Sequence, residues 1–218
     1  MVKKVIEDKT TERCPLCGHP GSLFHEEGFF LCTECKGIFR SRERLPTHSE
    51  ERSRYEMHDN EVDDEDYQDF VSPITDAVRK EFSPEDKGLD FGAGTGPVIS
   101  KVLGDEGYDI EQYDPFFAPA LPTKKYDYIV CCEVIEHFHD PKKEFGRLKD
   151  LLRPNGHLYC MTYIYKEEID FDSWGYKNDA THAFLYQKET FEWIEENFHF
   201  SSLKIDGRLI ELVRSRSE

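Results

Sequence analysis

The sequence predicts an α/β domain preceded by a small four-cysteine module. Three observations carry that reading. Two Cys-x-x-Cys pairs stand near the N-terminus, Cys14-Pro-Leu-Cys17 and Cys32-Thr-Glu-Cys35. A short apolar strand, Gly88-Leu89-Asp90-Phe91, runs straight into the turn Gly92-Ala93-Gly94-Thr95-Gly96 and then a helix. Strand and helix patterns follow from there almost to the C-terminus. The 218 residues suit one ordinary domain plus a small module, and 38% apolar with 13% aromatic content is enough to build a core despite 33% charge. With 28 Lys and Arg against 45 Asp and Glu, the net charge is −17. The pI near 4.9 argues against broad electrostatic capture of nucleic acid or anionic lipid and leaves only local patches for either. No run approaches the roughly 20 apolar residues that span a bilayer. Met1-Val2-Lys3-Lys4 has no apolar stretch of a secretory signal behind it. A soluble, cytoplasmic protein with no membrane partner is expected; the oligomeric state is open.

Seven cysteines, an odd number in a chain with no visible secretion signal, make a disulfide framework a poor reading. The two pairs, 14 residues apart, fit tetrahedral thiolate coordination of zinc by Cys14, Cys17, Cys32 and Cys35. Gly18 and Gly37 offer backbone freedom just beyond each knuckle. Ser22–His25 and Phe29–Leu31 flank Glu26-Glu27-Gly28, which reads as a hairpin. The whole resembles a zinc ribbon over about residues 10–40, within a module set at 1–45. Four thiolates leave no open position for chemistry, so the zinc is structural. A redox Cys-x-x-Cys would open a helix in a βαβ setting that is absent here, and His19 and His25 are minor substitutes for a thiolate. Cys131, Cys132 and Cys160 sit in apolar runs and read as small buried hydrophobes.

Residues 46–66 read as a polar and acidic linker. Arg40, Arg42, Arg44, Arg52 and Arg54 precede a stretch, 55–69, with eight carboxylates and no Lys or Arg. From Tyr67 onward, Phe70, Val71, Ile74, Ala77, Val78 and Phe82 follow helical spacing, with an end near Ser83-Pro84. This opens the third segment, 67–218.

In the glycine turn, the dinucleotide pattern G-x-G-x-x-G fails, because Pro97 occupies its third glycine position. What stands is Asp90-x-Gly92-x-Gly94-x-Gly96, followed by a helix from Val98 that Pro97 opens. This resembles motif I of the class I S-adenosylmethionine-dependent methyltransferases, and the likeness continues through most of 67–218. Tyr108–Tyr113 reads as a second strand ending in Asp114; Tyr126–Cys132 reads as the fourth strand, followed by Glu133-Val134-Ile135-Glu136-His137. Leu152-Arg153-Pro154-Asn155-Gly156-His157-Leu158 is similar to the family's turn before strand five, with Asn155 in place of a glycine. The resemblance implies a Rossmann-like sheet. It also implies that Asp90, Gly92, Gly94, Gly96 and Glu133 hold the methionine end of S-adenosylmethionine and Asp114 its ribose. Only residues 115–126 separate Asp114 from Asp127, too little chain for a helix and a strand, so the third strand is expected to be missing, with Pro115-Phe116-Phe117 covering the adenine edge.

The resemblance leaves the chemistry to Glu133, Glu136, His137 and His182. Neither the Asn/Asp-Pro-Pro-aromatic tetrapeptide of base amino-methylating enzymes nor the Pro-Cys of cytosine-C5 enzymes follows strand four. A Glu-x-x-Glu-His like this one binds a divalent metal in ubiquinone-pathway O-methyltransferases and small-RNA 2′-O-methyltransferases, the latter adding a downstream His, for which Thr181-His182 is a counterpart. Such a set suits Mg²⁺ or Mn²⁺. The plainer alternative is His137 as a loop cap or general base without metal. Tyr55, His58 and Asn60 lie where a lid is often placed, and Trp174, Tyr176, Asp179 and His182 where an acceptor pocket is often built, packing or exposure being the default for each. A helix at 190–198 and strands near 200–206 and 208–214 complete the sheet. The leading reading is a methyltransferase acting on a small molecule, at oxygen. The alternatives are an RNA methyltransferase that reads RNA with its ribbon, and an interaction module that binds the cofactor without turnover.

Overall fold

A computed structural model describes residues 10–57 and 61–216. The segment read for a secretory signal, and His58 and Asn60, lie outside the described residues. The cysteine module is an antiparallel meander of β1 (Thr11–Arg13), β2 (Pro20–His25), β3 (Phe29–Cys32) and β4 (Ile38–Arg40), with the expected hairpin at Glu26-Glu27-Gly28. Gly18 takes a positive φ, but at the second knuckle Lys36 does so instead (φ 57°). Gly37 serves close approach: a Cβ there would lie 2.1 Å from the ring of Phe184.

The linker is not structureless. It contains α1 (His48–Tyr55), started by a capping box in which Glu50 Oε2 accepts the Thr47 N–H at 2.8 Å and Thr47 Oγ1 accepts the Glu50 N–H at 3.4 Å. The Thr-x-x-Glu signal stands in the sequence at Thr47-His48-Ser49-Glu50, ahead of the acidic run. Asp64 then caps α2 (Glu65–Glu81), whose Val71, Ile74 and Val78 pack on the sheet.

The domain continues with β5 (Lys87–Phe91), α3 (Val98–Asp105), β6 (Asp109–Tyr113), β7 (Tyr126–Cys132), α4 (Pro141–Leu151), β8 (Leu152–Met161), β9 (Phe184–Leu185), α5 (Lys188–Asn197), β10 (Phe200–Asp206) and β11 (Leu209–Arg214). Its six-stranded sheet has the order β10-β11-β8-β7-β5-β6. β8, β7, β5 and β6 run parallel, while β11 is antiparallel to both β8 and β10. Among the described residues no strand pairs with the outer edge of β6. The chain turns back there through an isolated Asp114–Ala118 bridge, so the third strand is absent as its short interval requires. Asn155, in place of a glycine, adopts φ 59°, the left-handed region that asparagine tolerates.

Module and domain share one core. β9 adds to β4 through Ile38–Leu185 and Phe39–Phe184, and Leu16, Phe30 and Phe39 belong to the buried cluster that includes Phe145, Leu158 and Tyr186. Among the described residues, segments 1–45 and 67–218 therefore meet in this cluster. Phe184 is fully buried between Phe39 and Tyr186. Phe184→Ala is expected to cost about 3–5 kcal/mol, with module and domain losing structure in one transition, as read by urea unfolding followed by fluorescence and far-UV circular dichroism.

Candidate active site

Parallel strands deliver their loops to one side of the sheet, the C-terminal ends of β5, β6 and β7, where α/β sheets place ligands. After β5, Gly92 (φ 85°) donates its N–H to the Tyr113 carbonyl at 2.7 Å; a Cβ there would strike Val134 at 2.5 Å. Gly94 (φ 63°) has no atom within 4 Å of where its Cβ would lie, so bare main chain borders open space. Asp114 joins this turn to the next. Its carboxylate accepts N–H groups from Gly94 (3.0 Å), Phe116 (2.8 Å) and Phe117 (3.0 Å), which leaves it part of its acceptor capacity for a ligand hydroxyl.

The cavity that results has a volume of about 690 Å³. Gly92, Gly94, Gly96, Asp114 and Glu133 border it, as do Phe116 and Phe117, and α1 covers it with His48, Glu51 and Tyr55. Rings of His48 and Tyr55 lie 4.4 and 5.3 Å from Phe116, Tyr55 lies 5.5 Å from His137, and Glu51 reaches His139 at 3.0 Å. Asp90 departs from expectation. It is not in the wall: it is buried and accepts the Ser100 hydroxyl at 2.8 Å, clamping α3 to β5.

At the other end of the cavity, Glu133 follows β7 with φ 51°, a strained conformation for a non-glycine residue. Glu133 and His137 do not share a helical turn: a 3-10 turn covers only Ile135–His137, while Glu133 N–H is bonded to the Met161 carbonyl at 2.8 Å and continues the strand. Glu136 is fully buried. The Tyr176 hydroxyl bridges the two carboxylates, contacting Glu136 Oε1 and Glu133 Oε2, the latter at 3.1 Å, while the Thr162 hydroxyl donates to Glu136 at 3.1 Å. Burial pushes both carboxyls up, and repulsion from Glu136 raises Glu133 further, so the pair holds a proton at pH values where an ordinary glutamate has lost it. His137 and His182 each donate Nδ1–H to a backbone carbonyl, of Thr181 at 3.1 Å and Tyr176 at 2.7 Å. In the neutral ring this leaves Nε2 as the basic atom. Burial, and then the neighbouring His137, push His182 down to about 4. Ligand atoms of Glu136, His137 and His182 lie within 4.8 Å of one another; Glu133 is outside that group.

Tyr176 was a weak candidate on sequence and is central in space. Thr162 and Arg208, whose guanidinium lies 3.7 Å from Glu133, carried no sequence signal. Asp179 receives Arg54 from α1 at 3.0 Å, while Trp174 packs in an aromatic cluster with Phe171 and Tyr176. Of the arginines at 40–54, Arg40 bonds backbone carbonyls, Arg52 meets Glu56 at 2.9 Å and Arg54 meets Asp179, while Arg42 and Arg44 are exposed. In the module, Cys14 Sγ and Cys35 Sγ are 3.6 Å apart and Cys17 Sγ and Cys32 Sγ 3.3 Å, with all four sulfurs within 4.8 Å and no disulfide. His25 bonds Asp172 at 2.6 Å instead of joining them. Cys131 and Cys160 are fully buried, whereas Cys132 borders the cavity. Among the described residues no helix is long and apolar enough to cross a membrane.

Sheet order and cavity together define the Rossmann-like fold of class I methyltransferases. A family model described as a methyltransferase domain matches residues 63–204, well over half of the chain, and the chain belongs to that family. Among solved structures it is similar to an O-methyltransferase family protein from Burkholderia thailandensis, at 16% identity over 81% of this chain and 66% of that one, with a TM-score of 0.54. It is also similar to the Haemonchus contortus phosphoethanolamine N-methyltransferase 2 in complex with S-adenosyl-L-methionine (19% identity, 62% of this chain, 38% of that one, TM-score 0.50). A third is human N-acetylserotonin methyltransferase in complex with the same cofactor (14% identity, 68% and 54%, TM-score 0.50). The chain thus spans 38% to 66% of the lengths of these three, and the likeness is one of fold. No curated protein matches.

The clamp at Asp90 generates a pH dependence. Burial raises its carboxyl from 3.8 to about 6. The unfolded chain releases this proton first, so the group's contribution to stability is fully present below about pH 4 and is lost as pH rises through about 6. Asp90→Asn has no such proton. The stability difference, wild type minus variant, is expected to fall by about 3 kcal/mol between about pH 4 and about pH 7 in denaturant titrations.

Proposed function

We propose that this chain transfers a methyl group from S-adenosylmethionine to an oxygen of a small-molecule acceptor. The observation that carries the proposal is the cavity: bare main chain at Gly94 and the Asp114 carboxylate at one end, a proton-handling cluster of Glu133, Glu136, His137, His182 and Tyr176 at the other. The cofactor, when bound, supplies an electrophilic methyl on its sulfonium. Gly92, Gly94 and Gly96 would lie against its methionine end, Asp114 would accept from the ribose, and Phe116 and Phe117 would cover the adenine. Asp90 supports this arrangement from behind as a positioning residue. An acceptor hydroxyl must lose its proton as it attacks, and Nε2 of His137, aligned by the Thr181 carbonyl, is placed to take it. The α1 cover restricts the cavity to compact acceptors, and the inward turn of Arg40 with the carboxylate pairing of Arg52 and Arg54 weakens the RNA reading.

One observation supports a metal-assisted version. Glu136, His137 and His182 converge, and both imidazoles are anchored through Nδ1 in the manner of metal ligands. Mg²⁺ or Mn²⁺ there would acidify the acceptor hydroxyl. In the module, the four converging thiols support a structural zinc.

Calorimetry with S-adenosylhomocysteine is expected to show one site, and Gly94→Val to weaken it about ten-fold or more by placing a β-branched side chain in the cradle. A tritium-transfer screen over metabolite and RNA pools, with and without added Mg²⁺ after chelation, then decides between turnover on small molecules, turnover on RNA and binding alone. Absence of S-adenosylhomocysteine binding to the wild type would sink the proposal. Elemental analysis is expected to find about one zinc per chain, and Cys32→Ser to lose it and lower the melting temperature.

A further inference from the structure

The cysteine module packs against the loop at the acceptor end of the cavity through the rings of Phe24, Phe29 and Phe171, and a set of polar contacts lies beside them. Arg40, the last residue of β4, sends its guanidinium into the loop that carries Tyr176, Asp179 and His182. Nη2 donates to the carbonyls of Lys177 (2.8 Å) and Asp179 (3.1 Å), and Nε donates to that of His182 (3.2 Å). Its own backbone N–H donates to the Ala183 carbonyl at 2.9 Å. The guanidinium carbon lies 4.5 Å over the ring of Phe29, so the far side of the group is covered by the module. Gly175–Asn178 form a single 3-10 turn, and Arg40 bonds the Lys177 carbonyl within it and the Asp179 and His182 carbonyls just beyond it.

Two more side chains of the module grip the same stretch. Lys177 is buried, and Glu27 in the hairpin turn meets its ammonium at 2.8 Å. His25 bonds Asp172 and lies 5.2 Å from the ring of Phe171. On its other side, the stretch meets the cavity: His182 accepts its orientation from the Tyr176 carbonyl, and Ala183 N–H donates to the Glu136 carbonyl at 2.8 Å.

We infer that Arg40 is a positioning residue for the acceptor wall, through which the cysteine module sets the placement of Tyr176 and His182. The inference concerns the same cavity as the proposed function but does not require that methyl transfer occur there. A lysine cannot replace the group fully, because three carbonyls at different angles match a planar fork of N–H donors and a single ammonium does not.

Hydrogen–deuterium exchange on the full chain tests this. Arg40→Ala is expected to raise exchange of the amides at 176–184 by about ten-fold or more, while β5 and α3 exchange as in the wild type. Arg40→Lys is expected to restore part of that protection. Glu27→Gln, which leaves a buried ammonium without its counterion, is expected to loosen the same segment less and serves if Arg40→Ala does not fold. S-adenosylhomocysteine, used as the probe of the opposite end, is expected to bind Arg40→Ala within about two-fold of the wild type. Unchanged exchange at 176–184 in both variants, a rise spread evenly along the chain, or no rescue by lysine would overturn the inference. If the wild type itself fails to bind S-adenosylhomocysteine, the proposed function falls while the exchange pattern still decides the role of Arg40.

Discussion

One short stretch of backbone, residues 181–186, holds the cysteine module and the active-site turn in register. Ala183 accepts from the N–H of Arg40 in the module and donates to Glu136 in the turn after β7. Phe184 and Leu185 complete the module's sheet, and the Tyr186 hydroxyl donates to the Ile135 carbonyl at 2.8 Å. Backbone hydrogen bonds are directional and nearly obligatory in a buried setting. A displacement of this stretch would therefore unmake contacts on both faces at once. The active-site turn and the cysteine module cannot move independently.

That constraint explains how an unfavourable arrangement is tolerated at the acceptor end. Glu136 is fully buried beside Glu133, which borders the cavity and adopts a left-handed backbone conformation to get there. Both features cost free energy. Hydrogen bonds from the Tyr176 and Thr162 hydroxyls to these carboxylates offset part of that cost.

The cofactor end is simpler. There a single carboxylate, Asp114, orders two turns through three N–H groups, and the absence of a third strand leaves β6 as the edge. The Asp114–Ala118 bridge closes that edge with five residues where other members of the fold class place a helix and a strand.

Much of this was legible in the residues themselves. Glycines at 92, 94 and 96, the acid at 114, and the apolar strands are local signals, because turns, strands and knuckles are decided by a few neighbouring side chains. The missing third strand followed from chain length alone. Other features were not legible for a physical reason: they depend on partners distant in sequence. Gly37 looks like a flexible hinge until Phe184 fills the space above it. Arg40 resembles one of a basic run until the carbonyls of residues 177, 179 and 182 surround it. Thus the order of residues alone determined which elements form and which donors exist. Only the tertiary structure decided which of them face the cavity and which hold it in place, since that choice rests on packing between segments more than a hundred residues apart.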